Sequence, residues 1–351
     1  MAQVSVIMPV YNGRKTIHKA IKSLQAQTFS DLDIFVVDDG STDGTFEVLQ
    51  SMAEADPRIR LFRTLENLGA YHARALALNE VRSEWVTLLD ADDWYEADRI
   101  EVLLNAAKEL KADLILDNLQ LFDHVLNKVV TCTNFGSCNK PSKLFPEDIF
   151  RLDNPLLGSS SIGYSKPMVR MEFIRKHNIN YWGKYRNNED YVFLAEIILF
   201  GAQAFLIPQA SYVYVLSVSP STKEPSPYSY SNNDAALIVA QCDELMQKYG
   251  LVVSSKSRDL LLHRKKLFLT SDIASKQKSL LAQGQYGKAA ALFLKHPYLL
   301  IFRLLCLRNC LYNNQGSIEN SFVAGLIILK TAAIGRHLRL YRAFADHYSK
   351  E

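Results

Sequence analysis

Trp85-Val-Thr-Leu-Leu-Asp90-Ala-Asp92-Asp93-Trp94 is the stretch on which the reading of this chain turns. Val86 to Leu89 is an apolar run of strand length, and it ends in three acids within four residues. Carboxylates packed that closely repel one another and are costly to hold together without a cation. At the end of a strand in an α/β sheet, they lie where such folds place their ligands. The economical reading is a divalent metal held by one or two carboxylates, with a diphosphate supplying other ligands. The plainer alternative is a solvated acidic turn capping a helix that begins near Glu96.

On either side of this stretch, strand and helix patterns alternate. Segments 4–10, 33–37, 59–65 and 113–121 read as further strands, and 16–27, 44–55, 69–81 and 97–110 as helices. The first helix carries Ile17, Ala20, Ile21 and Leu24 on one face. This alternation predicts a Rossmann-like, mostly parallel sheet covered on both faces, with its chemistry in the loops at the strand C-terminal ends.

Three of those loops are polar in a patterned way. They are Pro9-Val-Tyr11-Asn12-Gly13, Asp38-Asp39-Gly40-Ser41-Thr42-Asp43-Gly44, and Asn67-Leu68-Gly69 leading to Arg74. Ser41, Thr42 or Asp43 can cap the next helix. Capping does not account for Asp38 and Asp39, whose carboxylates can accept hydrogen bonds from a base N–H or from ribose hydroxyls. Two readings stand for Arg74: facing a nucleotide, or pairing with a surface acid. The GxGxxG and GK[ST] patterns are both absent, so a glycine cradle for phosphates is not expected. That strengthens the case for a metal at Asp90 and Asp92.

Taken in order, these three loops and Leu89-Asp-Ala-Asp-Asp-Trp94 resemble the family 2 glycosyltransferases. Four motifs in sequence over roughly the first hundred residues are specific where any one alone is weak. The resemblance implies a GT-A fold and an inverting reaction on a UDP-sugar. It puts Pro9, Tyr11, Asn12, Asp38, Asp39, Asn67, Gly69, Arg74 and Asp90 around the donor nucleotide, with Pro9, Tyr11 and Asp39 lining uracil and ribose. Asp90-Ala-Asp92 would be the DXD motif, Asp92 nearest a Mn2+ or Mg2+ ion and Asp90 nearer the ribose and the metal shell. Farther on, Asn187-Asn188-Glu189-Asp190-Tyr191 opens an apolar helical run. Acids in a first helical turn also complement the helix dipole. The family carries a Glu-Asp pair at this separation from its DXD motif, which implies Asp190 as the catalytic base and Glu189 as second choice. The Arg usual soon after that helix start is missing, with Ala195-Glu196 in its place. The processive-synthase signature Gln/Arg-x-x-Arg-Trp is absent too, which favours one sugar per encounter.

The totals set bounds. At 351 residues the chain is long for one core. The expected division is a GT-A domain over 1–225, with a nucleotide-sugar half to 121 and an acceptor half from 122, followed by a helical region over 226–351. A hydrophobic share of 48% with 22% charged residues excludes wholesale disorder, and a net charge of +3 is too small to argue for nucleic acid. Five cysteines without a CxxC pair disfavour a zinc site or disulfide framework and fit a reducing, cytoplasmic setting. Neither a secretory leader nor a clean transmembrane helix is expected.

In the second half, 156–161 reads as a loop and 166–175 as a helix. Tyr212 and Tyr214 read as packing on a strand, and Tyr228–Tyr230 as a shelf that could stack on sugar faces. Helices are expected over 234–249, 256–281 and 286–295. Apolar stretches at 298–312 and 322–334 carry basic residues such as Arg303, Arg308 and Lys330. Such segments suit the inner face of the cell membrane, where anionic lipid attracts the bases. A glycan or lipid-linked oligosaccharide acceptor follows by analogy with bacterial exopolysaccharide or lipopolysaccharide assembly. The alternative is a helical subdomain packing on itself or on a second copy. A sugar nucleotidyltransferase would want a Gly-rich basic loop where this chain has Pro9-Val-Tyr-Asn-Gly-Arg14. A non-catalytic nucleotide-sugar-binding scaffold would tolerate loss of Glu189-Asp190. A retaining transferase is disfavoured only through the family resemblance.

Overall fold

The structure, a computed structural model, describes residues 2–135, 139–152, 162–181, 188–216, 235–250 and 254–296. Strand β1 (Val4–Val10) is buried along its whole length, as a strand covered on both faces must be. It pairs in parallel with β2 (Leu32–Asp38) and with β4 (Trp85–Leu88), and β3 (Ile59–Arg63) extends the sheet beyond β2. Helices α1 (Ile17–Gln25), α2 (Thr45–Ala55) and α3 (Ala70–Glu80) make the crossovers. Helix α1 buries Ile17, Ala20, Ile21 and Leu24, the expected stripe; each of the three larger side chains contributes about 1.5–3 kcal/mol of burial. Because β1 to β4 run in parallel, their C-terminal ends share one edge of the sheet.

The chain continues through β5 (Trp94–Tyr95), α4 (Arg99–Glu109), β6 (Leu114–Asp123), β7 (Lys128–Cys132), β8 (Ser142–Leu144) and α5 (Pro146–Leu152). After a 3-10 turn, Ile162–Tyr164, come β9 (Met168–Arg170), α6 (Met171–His177), α7 (Glu189–Leu199) and β10 (Ala204–Val215). The main path of the sheet runs β3-β2-β1-β4-β9-β6-β10-β5. The helix expected over 166–175 starts late: Lys166 and Pro167 lie in a loop and Met168–Arg170 form β9. Met168 and Val169 are buried between β4 and β6, antiparallel to both, so the helix waits until Met171. Filling that gap in the sheet outweighs local helical periodicity.

This insertion positions the site. Val86 pairs with Val169 and Trp85 with Arg170, so the residues before Met168 run back toward Asp90. Lys166 thereby reaches the edge where the parallel strands end. Its carbonyl oxygen accepts a hydrogen bond from Arg99 Nη2 at 2.8 Å, and Arg99 itself is locked in a fully buried ion pair with Asp117.

Helices α8 (Ala235–Tyr249), α9 (Ser255–Ala282) and α10 (Tyr286–Lys295) follow the expected boundaries closely. The chain divides into two compact units, Met1–Asp272 and Ile273–Glu351. In the first, Glu196 of α7 accepts hydrogen bonds from Lys248 and Tyr249 of α8. In the second, Gln277 Nε2 donates to the Ala289 carbonyl at 3.2 Å. Cys132 is exposed and Cys242 buried, and among the described residues no helix is long and apolar enough to cross a membrane. The loop at 156–161, Tyr228–Tyr230 and the apolar stretches beyond 297 lie outside the described residues.

Candidate active site

The three polar loops form one locked cup. Asn12, in the left-handed region at φ 52°, donates its N–H to Ser41 Oγ at 2.9 Å and accepts from the Thr42 N–H at 2.9 Å. Asp39 is 2% exposed, and its carboxylate accepts from Thr64 Oγ1 (2.9 Å), the Leu68 N–H (3.1 Å) and the Gly69 N–H (2.7 Å). Gly40 sits at φ +72°, where an added Cβ would lie 2.7 Å from the Glu66 backbone. Only glycine permits that approach. None of the three candidate caps takes the N-cap position of α2, which is Gly44; Asp43, just ahead of it, accepts from the Thr45 N–H at 3.0 Å.

Around this cup lie the other donor candidates. Asp38 is fully buried and pairs with Arg63 Nε at 3.2 Å. Burial pushes its carboxyl up, while Ser41 and Arg63 pull it back. Arg63 lies over the Phe46 ring. Pro9 is buried within β1 opposite Val37, and Tyr11 stands on the rim, 39% exposed. Asn67 and Gly69 lead into α3 and carry Arg74 inward, where it is 2% exposed.

The three acids after β4 do not act as one group. Asp93 is 1% exposed and turned away: it accepts from Tyr212 Oη at 2.6 Å and from the Val215 N–H at 2.7 Å. Tyr212 Oη in turn accepts from the Asp90 N–H at 3.3 Å. Asp93 therefore anchors the turn to β10. Burial, then the charges of Asp92 and Asp90, hold its carboxyl well above the usual range. Tyr212 is packing, as expected, and Tyr214 stacks on Tyr164.

Asp90 pairs with Arg74 Nη2 at 2.6 Å and with Lys166 Nζ at 2.8 Å. Burial pushes its carboxyl up, but Lys166 and Arg74 more than offset this and hold it below the carboxylate range. Arg74 Nη1 also contacts Glu189 and lies 3.1 Å from Asp190, while Lys166 Nζ contacts Asp190. Both acids occupy the first turn of α7, entered through Asn188 at φ 64°. Burial raises the Glu189 carboxyl, with Arg74 opposing and Asp190 adding to it. The acid partners of Arg74 are half-buried rather than on the open surface, and they come from two distant segments. Lys166 was missed altogether, because its segment reads as a helix and only the β4–β9 register brings it to Asp90.

Asp92 is different. It is half-buried, and no hydrogen bond or ion pair to another described side chain engages its carboxylate; burial, then the charge of Asp90, pushes it up to about 6. A carboxylate so placed gains by meeting a cation. Among the described residues no three His, Cys, Asp or Glu side chains converge as a metal cluster. A hard cation that draws most of its ligands from phosphate and water needs only one or two carboxylates, so Asp92 with Asp90 behind it fits such an ion.

Sheet order, cup and acid turn define a GT-A-type α/β fold. Residues 5–168 match the sequence profile of Glycosyl transferase family 2. It is 29% identical over 212 residues to the succinoglycan biosynthesis protein ExoO of Rhizobium meliloti, covering 60% of each chain. It is 38% identical over 121 residues to glycosyltransferase GlyA of Streptococcus pneumoniae, covering 34% of this chain and 17% of that protein. The chain thus spans less than two thirds of either relative. The crystal structure of S. aureus TarS 1-349 shares the fold, with a TM-score of 0.60 at 19% identity over 90% of this chain and 93% of that one.

Proposed function

We propose that this chain is a metal-dependent, inverting glycosyltransferase. It would move a sugar from a UDP-sugar to a hydroxyl of a glycan or lipid-linked oligosaccharide, one sugar per encounter. The observation that carries this reading is the convergence of Asp90, from the end of β4, and Asp190, from the head of α7, on the same two cations. Donor-side and base-side carboxylates thereby face one reaction space. TarS has been crystallised with UDP and with UDP-GlcNAc, which supports a uridine donor here.

In this scheme the cup of Asn12, Asp38, Asp39 and Tyr11 takes the nucleoside, with Pro9 packed behind it, and the turn at Asp90 receives the ribose. Asp92, with Asp90, would hold Mn2+ or Mg2+, which as a Lewis acid draws charge from the departing diphosphate. Asp190 accepts the proton of the acceptor hydroxyl as its oxygen bonds to the anomeric carbon and the bond to the β-phosphate oxygen breaks. Glu189, beside it in the first turn of α7, is the second candidate. A single base suffices, since diphosphate leaves without a general acid. The basic, apolar stretch beyond 297 is read as a membrane-facing segment serving a lipid-linked acceptor.

The test is a panel of UDP-sugars with Mn2+, followed as UDP release without acceptor, and then product anomer by NMR once an acceptor is found. At least one donor should release UDP, and the anomeric configuration should invert. A panel with no UDP release, or a retained anomer, contradicts the reading.

A further inference from the structure

The base candidate is not free in this arrangement. The Lys166 ammonium contacts Asp190 and lies 2.8 Å from Asp90; its side chain is 3% exposed. A carboxylate held by an ammonium is a poor proton acceptor, so transfer requires that contact to loosen. The departing diphosphate, meanwhile, needs positive charge. Helix α7 carries no Arg or Lys: Ala195 is buried, and Glu196 is engaged by Lys248 and Tyr249. Among the described residues, two buried cations meet these acids, Arg74 and Lys166. The planar guanidinium of Arg74 is fixed by three carboxylates. Lys166 is a point charge on a flexible stem, pinned at its backbone by Arg99 and therefore free to swing only at its tip.

We propose that Lys166 binds the β-phosphate of the donor and, in leaving Asp190 to do so, releases that carboxylate to act as base. Donor binding then switches on the base, and the same ammonium meets the charge that grows on the β-phosphate oxygen as its bond to the sugar breaks. The acceptor proton passes to Asp190, and UDP leaves with Lys166 paired to it. This deepens the transferase reading and rests on it. It also supplies a cation where the family's usual Arg is missing.

The experiment uses the full chain with UDP and the best donor of the panel. Lys166→Ala should lower the rate of UDP release about 100-fold or more, the usual loss for a group that stabilises developing charge. Methylammonium or ethylammonium should restore at least tenfold of it, and Lys166→Arg should keep more activity than Lys166→Ala. A second comparison guards against misfolding. In an Asp190→Asn background, which removes one charge of the pair, Lys166→Met should still weaken UDP binding about tenfold by calorimetry.

Full activity in Lys166→Ala, or loss without amine rescue, overturns the proposal. So does UDP affinity in the Asp190→Asn background that is indifferent to Lys166→Met, since Lys166 would then act only through the acids. Wild-type protein that releases no UDP from any donor contradicts the transferase reading itself, and this proposal with it.

Discussion

Arg74 Nη2 lies 2.6 Å from Asp90 Oδ1, and Nη1 of the same guanidinium lies 3.1 Å from Asp190 Oδ1. One buried side chain thus ties the strand end that would receive the donor to the helix start that would supply the base. Lys166 repeats the bridge with a second cation. Between them Arg74 and Lys166 contact three carboxylates, those of Asp90, Glu189 and Asp190.

Arg74→Met should therefore be severely destabilising. Removing one partner of a buried charge cluster costs about 3–5 kcal/mol. Arg74→Lys should recover only part of this, because one ammonium cannot span three carboxylates with the geometry of a guanidinium fork. Urea denaturation of the three proteins measures the difference, and a wild-type midpoint in Arg74→Met contradicts it.

Asp190→Asn should abolish sugar transfer without weakening the affinity for UDP, since the group acts on the acceptor proton. Glu189→Gln should be milder. Steady-state rates set beside calorimetric UDP binding separate the two effects. Retained transfer in Asp190→Asn would move the base to Glu189 or elsewhere.

The carboxyl of Asp92 gives a pH signature. Its folded-state value, about 6, lies above the unfolded value of 3.8. Ionised Asp92 therefore costs stability above about pH 6, and that cost fades as the pH falls from there toward 4. Asp92→Asn should raise the Tm at neutral pH, by the equivalent of roughly 1–3 kcal/mol, and the gain should shrink in acid. Metal binding needs the ionised form, so Mn2+ affinity should fall about tenfold between about pH 7 and about pH 5. Calorimetric unfolding and Mn2+ titration across that range check both signs.

Asp39→Ala should unlock the nucleotide cup. Three hydrogen bonds to a buried carboxylate disappear, and the Leu68 and Gly69 N–H groups lose their acceptor. The expected loss is about 2–4 kcal/mol of stability together with UDP affinity. Amide exchange over 64–69 should quicken in this variant. Unchanged protection there would show that the loop is held by other means.

Much of this arrangement was legible in the sequence, for identifiable reasons. The stripe of Ile17, Ala20, Ile21 and Leu24 and the unbroken apolar run of β1 are periodic signals, and tertiary structure reinforced them. Asp38, Asp39, Asp90 and Asp190 stood out because they are acids at the ends of apolar strands and at the head of an apolar helix. Three features were hidden. Asp93 looked like its neighbours, and only the return of β10 with Tyr212 shows that it faces inward. Lys166 and the strand after it read as helix, because Met168 and Val169 are apolar in a way that suits either element. Their place between β4 and β6 is set by pairing partners some fifty to eighty residues away in sequence, which no local window contains. Asp39 was expected to line the nucleotide. Its role in holding 64–69 depends on loop-to-loop hydrogen bonds that spacing cannot reveal.

In the proposed function, the acids at the mouth of β4 grip a cation shared with the donor's diphosphate. Titration calorimetry of UDP into wild type and Asp92→Ala, with and without Mn2+, tests it most directly. Mn2+ should tighten UDP binding to wild type at least about tenfold, and Asp92→Ala should lose that increment while keeping the weak metal-independent binding of the cup. A wild type that does not bind UDP, or an Mn2+ effect that survives intact in Asp92→Ala, would contradict it.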